Sequence, residues 1–97
     1  MTKFETTGDV VIGIARTSNC PSKLFVDKDK IEISPWMWDN LYFYKEDIIS
    51  IELFKKWYIG KGIRINHNKQ FYDTRIIFLP KIDPKYLLEI LNQFGFY

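Results

Sequence analysis

Residues that carry chemistry are scarce in this chain. It has one cysteine, Cys20, and one histidine, His67. A lone thiol closes no internal disulfide, so a reducing, cytoplasmic setting is expected. Cys20 stands beside Pro21 with neither a base nor a helix amino terminus near it in sequence, which makes it a passive thiol. A zinc centre needs three or four ligands, and His67 has no second histidine or nearby cysteine. No metal and no cofactor are expected. Asp73 is near His67 in sequence, but no third group completes an acid–base constellation. Long apolar runs are also missing: none approaches the roughly 20 residues of a membrane span. Charge of one sign is missing too, with 14 Lys and Arg against 12 Asp and Glu. That balance gives no dense basic surface for a phosphate backbone, and nucleic acid is not an expected partner.

What the chain has instead is apolar and aromatic side chains, 46% and 18% of its 97 residues. This is enough for one core, and disorder is not expected. Residues 1–9 are polar, mixed in charge and without an apolar period, and read as a loose leader before a single domain spanning 10–97. From residue 10 onward, short segments of alternating or β-branched character read as strands over 10–16, 22–27, 30–34, 41–45, 48–54, 62–66 and 71–79. In 48–54, Ile49, Ile51 and Leu53 alternate with Ser50 and Glu52. A turn is expected at 27–29, another at 45–47 and a hairpin tip at 67–70. Residues 17–21 also read as a turn, and 35–40 as a proline-led turn carrying Trp36, Met37 and Trp38.

The period then changes. Asp83 suits a helix N-cap and Pro84 the first helical position. Leu87, Leu88, Leu91 and Phe94 make an apolar stripe with Ile90 on its flank, and Gly95 suits the stop. A run of strands closed by one helix is solved most simply by a bent sheet whose inner face covers that stripe.

Local order strengthens this expectation. The run Lys45-Glu46-Asp47-Ile48-Ile49-Ser50-Ile51-Glu52 leads from one strand into the next. Gly60-Lys61-Gly62-Ile63-Arg64-Ile65-Asn66-His67-Asn68 follows. Ile76-Ile77-Phe78-Leu79-Pro80 then leads to Asp83-Pro84-Lys85-Tyr86-Leu87-Leu88-Glu89-Ile90-Leu91, with Gly95-Phe96-Tyr97 at the end. In these features, over most of its length, the chain resembles the pleckstrin-homology-like (PH-like) superfold, more closely its small bacterial branch. The resemblance implies a mainly β fold with one α-helix: a bent seven-stranded antiparallel β-barrel or sandwich capped by a C-terminal helix. It also implies an interaction module, since such domains bind phosphoinositides, peptides or proteins, and some bacterial members assemble into rings. Lipid-binding members place basic residues around the first hairpin. The matching region here offers Arg16 and Lys23, followed by Leu24 and Phe25, so that lipid site is not carried over.

No catalytic residues are expected. Gly60-Lys61-Gly62 lacks the earlier glycine, the following serine or threonine and the strand-to-helix context of a phosphate loop. Glu46 and Asp47 are adjacent, so alternation points them apart, and Glu52 gives no paired-carboxylate site. The best candidate for a contact surface is Lys55, Lys56, Trp57 and Tyr58 with Lys61 and Arg64. Lysines beside exposed rings suit a protein interface or an anionic membrane surface. The bland alternative is a solvated connector whose rings fold back over the sheet. Trp36 and Trp38 are candidates for the same kind of contact, or for core plugs. The expected function is a non-enzymatic module that binds a protein partner or self-associates. The alternative is a peripheral domain on anionic membranes or lipid.

Overall fold

The computed structural model describes residues 2–16, 21–35 and 38–97. Among them, eight strands and one helix follow in the order β1 (Lys3–Ile12), β2 (Ala15–Arg16), β3 (Ser22–Asp27), β4 (Lys30–Ser34), β5 (Leu41–Tyr44), β6 (Ile48–Lys56), β7 (Gly60–His67), β8 (Ile76–Pro80) and α1 (Pro84–Gln93). One turn of 3-10 helix, Lys45–Asp47, links β5 to β6. The strands form a single curled antiparallel sheet in the order β5-β4-β3-β1-β8-β7-β6, with β2 paired to the end of β1. Its inner face makes a half-barrel, and α1 packs against β6, β7 and β8. The fold is thus mainly β with one C-terminal helix over a bent sheet.

Strand β1 holds the two walls together. Its first half, Lys3 to Gly8, pairs with β3. Its second half, Gly8 to Ile12, pairs with β8. Residues 3–9 therefore belong to the sheet and not to a loose leader, because the ladder starts at Lys3. The sequence conceals this because the inward positions before Val10 are Phe4, Thr6 and Gly8. Thr6 and Gly8 are buried, yet neither raises the hydropathy of the segment.

The core lies between the inner face and the helix. Val10, Leu24, Ile31, Ile33, Phe43, Ile63, Ile65, Ile76 and Phe78 are wholly buried, as are Leu87 and Leu91 of the helix. Each such side chain contributes about 1.5–3 kcal/mol of burial. Asp83 caps α1 by accepting a hydrogen bond from the Lys85 amide at 3.0 Å. At the other end the Phe96 amide reaches the Leu91 carbonyl at 2.9 Å and the Gly95 amide reaches Asn92 at 3.0 Å. This Schellman pattern brings Phe96 and Leu91 together as the apolar contact that usually accompanies it.

A second, smaller cluster covers the outer face: Val11, Ile77 and Leu79 with half-buried Phe54 and Ile59. It explains the unbroken apolar run of β8, which is buried on both sides. The β3–β4 hairpin turns at Asp27, whose Oδ1 accepts from the amides of Asp29 at 2.8 Å and Lys30 at 2.9 Å. The Asp29 amide is the largest influence and, with the Lys30 amide and ammonium, holds the Asp27 carboxyl below its ordinary range although burial opposes them.

Two further expectations are corrected. The strand expected over 71–79 is only Ile76–Pro80. Residues 68–75 form a loop in which Asp73 Oδ1 accepts from the Arg75 amide at 2.9 Å, and Phe71 stands fully in solvent. A side chain that bonds its own backbone two residues on favours a turn over a ladder. In β6 the register shifts between Ile48 and Ser50. Ile49 is turned outward and 70% exposed, while Ile48 packs on the core. A bulge of this kind re-aims one residue, and alternation alone cannot show where it falls. Leu53 keeps the inward side, opposite Ile63, yet is 49% exposed at the sheet edge.

Candidate functional site

The β6–β7 hairpin positions the candidate residues. Lys56 faces Gly60 across the ladder, Lys55 faces Lys61, and Glu52 faces Arg64. Residues 57–59 form the tip, closed by a hydrogen bond from the Ile59 amide to the Lys56 carbonyl at 3.0 Å. Gly60 follows with φ of 126°, a conformation side chains rarely allow. The tip is fastened by Ile59, whose side chain folds over the outer cluster. Arg16 Nη1 donates to the Ile59 carbonyl at 2.7 Å, and its Nη2 to Asp9 Oδ2 at 3.3 Å.

With Ile59 as anchor, the two aromatics point away. Trp57 is 95% exposed and Tyr58 62%. Their rings meet edge to face, centroids 5.6 Å apart at 79°. The rings do not fold back over the sheet. Two large rings so held leave roughly 2 kcal/mol or more of burial each unrealised in the free chain.

The basic residues divide. Lys55 and Lys61 lie on the side of the ladder that carries Leu53 and Ile63, and face the start of α1. Arg64, one strand position past Ile63, is on the opposite face, with Ile77 beside it in the ladder. It is half-buried, and its Nε is enclosed without a hydrogen-bond partner. It does not join the lysines. A cleft of about 290 Å³ opens between the hairpin and the helix start, lined by Leu53, Phe54, Lys55, Lys61, Asp83, Pro84 and Lys85. Lys55, Lys56, Lys61 and Lys85 take part in none of the ion pairs among the described residues. A cleft on the β1–β4 face, by contrast, mixes Lys3 and Lys30 with Glu5, Asp27 and Glu32.

Trp38 is elsewhere. It is 39% exposed and lines a crevice with Ile12, Leu41, Phe71, Tyr72 and Asp73, at the end of β7 away from the tip. Trp36 and Cys20 lie outside the described residues, as do the turn at 17–20 and Met37. His67 is pinned: its Nδ1 accepts from the Lys69 amide at 3.1 Å, and its Nε2 lies 2.8 Å from the Asp73 carbonyl. The tautomer protonated at Nε2 satisfies both contacts. The ring also packs against Phe43 and Tyr72, so the residue organises the 68–75 loop. Among the described residues no group of three or more His, Cys, Asp or Glu is arranged to hold a metal ion, and no helix is long and apolar enough to cross a membrane.

Sequence reasoning missed Lys85, Ile59 and the role of Arg16. Lys85 had a signal, since a lysine in the first turn of a helix is on the unfavourable side of its dipole. Arg16 had none, because its partner Ile59 is distant in the chain.

No protein-family model matches the chain, and no curated protein matches it. Among solved structures it is similar to the crystal structure of the C-terminal domain of an unknown protein from Leishmania infantum. The TM-score is 0.70 at 12% identity, over 97% of this chain and 84% of that one. At that identity the likeness concerns the fold alone.

Proposed function

We propose that this chain is a non-enzymatic interaction module of the PH-like kind, which binds a protein partner or a second copy of itself through the tip of the β6–β7 hairpin. The observation that carries this reading is Trp57, almost wholly in solvent, held edge to face with Tyr58 on a turn fastened by Ile59 and Arg16. Ordered aromatic anchors lose little freedom on binding, and residues of this type dominate interface energies.

The variant Trp57→Ala/Tyr58→Ala is expected to unfold at the wild-type denaturant concentration, within about 0.5 kcal/mol, because both rings are exposed. It should weaken association by roughly tenfold or more. Sedimentation across a range of concentrations checks self-association, and a pull-down with wild-type and variant baits checks a partner. A strict monomer that retains nothing sensitive to these two rings would end this reading.

One feature favours a second reading, contact with an anionic membrane: the same tip carries Lys55, Lys56 and Lys61 without ion pairs beside a protruding tryptophan. Flotation with phosphatidylserine vesicles should then succeed at low salt, fade as salt rises, and be lost in Lys55→Glu/Lys56→Glu. Absence of floated protein at low salt removes the membrane reading.

A further inference from the structure

We propose that the cleft between the β6–β7 hairpin and the first turn of α1 seats an acidic, partly apolar peptide segment of the partner protein. The inference rests on the hairpin as the contact element and adds the chemistry of what it contacts.

Two independent electrostatic penalties meet in this cleft. Lys55 and Lys61 stand directly opposite each other in the ladder, and like charges so placed destabilise a sheet. Lys85 sits in the first turn of α1, where the helix dipole favours an anion. None of the three is relieved by an ion pair among the described residues. Asp83 is the one acidic residue lining the cleft, and its carboxylate is engaged as the helix cap. Three lysines thus line one cleft with a single carboxylate, and an incoming anion would relieve both penalties together.

The remaining lining decides the class of anion. Leu53 and Pro84 are apolar, and Leu53 is half in solvent. A segment alternating carboxylates with aliphatic side chains matches both parts of the surface, whereas a bare ion would leave the apolar part wet. A flat lipid surface would meet the projecting tip before the recess behind it.

The test uses the full chain and a fluorescein-labelled peptide of alternating glutamate and leucine, followed by anisotropy. Saturable binding that weakens as salt rises is expected. Lys61→Glu/Lys85→Glu should raise Kd by roughly tenfold or more. Lys3→Glu/Lys23→Glu, with the same change in net charge on the β1–β3 face, should leave Kd within about twofold, as expected for screened, distant charges. Circular dichroism of each variant confirms that it folds. No saturable binding at low salt, or equal weakening by both variants, would overturn the proposal. Binding of phosphatidylserine vesicles but not peptide, dependent on Lys61 and Lys85, would overturn it in favour of lipid. If association depends on Trp57 and Tyr58 but the peptide fails to bind, the cleft inference alone fails. If the peptide binds and no association depends on those rings, the hairpin reading fails instead.

Discussion

Leu91→Ala is expected to destabilise the protein by about 3–4 kcal/mol, within the range for a buried leucine that leaves a cavity. Leu91 is wholly buried on the helix face that covers the sheet. Its carbonyl also accepts the Phe96 amide that closes the helix, and its side chain is the one Phe96 is placed to meet. Truncation therefore removes core contacts and weakens the helix stop together. A domain of this size has only about 5–15 kcal/mol in total, so the loss should appear as a large fall in the denaturant midpoint with an unchanged slope. Glu89→Ala, on the exposed face of the same helix, is the control and should stay within about 0.5 kcal/mol. If both variants unfold alike, the helix is not docked on the sheet.

Gly62→Val should cost about 3 kcal/mol or more, because overpacking a site bounded by backbone has no inexpensive relaxation. A Cβ at Gly62 would fall inside the Phe78 carbonyl oxygen and within 2.9 Å of Leu79 Cδ2. Gly8, across β8, has the same relation to the Leu79 carbonyl. The two strands flanking β8 thus approach it closely at neighbouring residues, where the sheet can accept only hydrogen in place of a side chain. Urea unfolding measures the effect. A wild-type midpoint for Gly62→Val would show that β7 can move off β8 without penalty.

Much of this architecture is legible in residues whose local and global preferences agree. Asp83, Pro84, the leucine stripe and Gly95 mark the helix because cap, period and stop coincide there. The β3–β4 hairpin is equally clear, since Asp27 makes its own turn between two alternating segments. The failures have physical causes. The start of β1 is hidden because threonine and glycine occupy inward positions that backbone pairing and close approach require. The bulge at Ile48–Ser50 inverts one residue without altering composition. The short β8 is set by Asp73 bonding within its loop, which competes with the apolar signal upstream. At the candidate site, Lys55, Lys56, Trp57, Tyr58 and Lys61 are readable as a basic, aromatic cluster in one stretch of chain. Its partition is not: Arg64 leaves for the opposite face by alternation, and Lys85 arrives from a different element. Only the fold brings Lys85 to the hairpin, and only the burial of Ile59 explains why its two aromatic neighbours are left outside.

The divided pairing of β1 bears on the order of assembly. Neighbours β3, β4 and β5 can zip together from adjacent segments, but Gly8 meets Pro80 only after the intervening chain has been placed. Closing so long a loop precedes any reward from the contacts it allows, which slows folding relative to helical domains of equal size. Until that late closure, the apolar inner edge of β8 and the helix that follows it have no completed wall to cover, and the nascent chain is at its most vulnerable to intermolecular pairing.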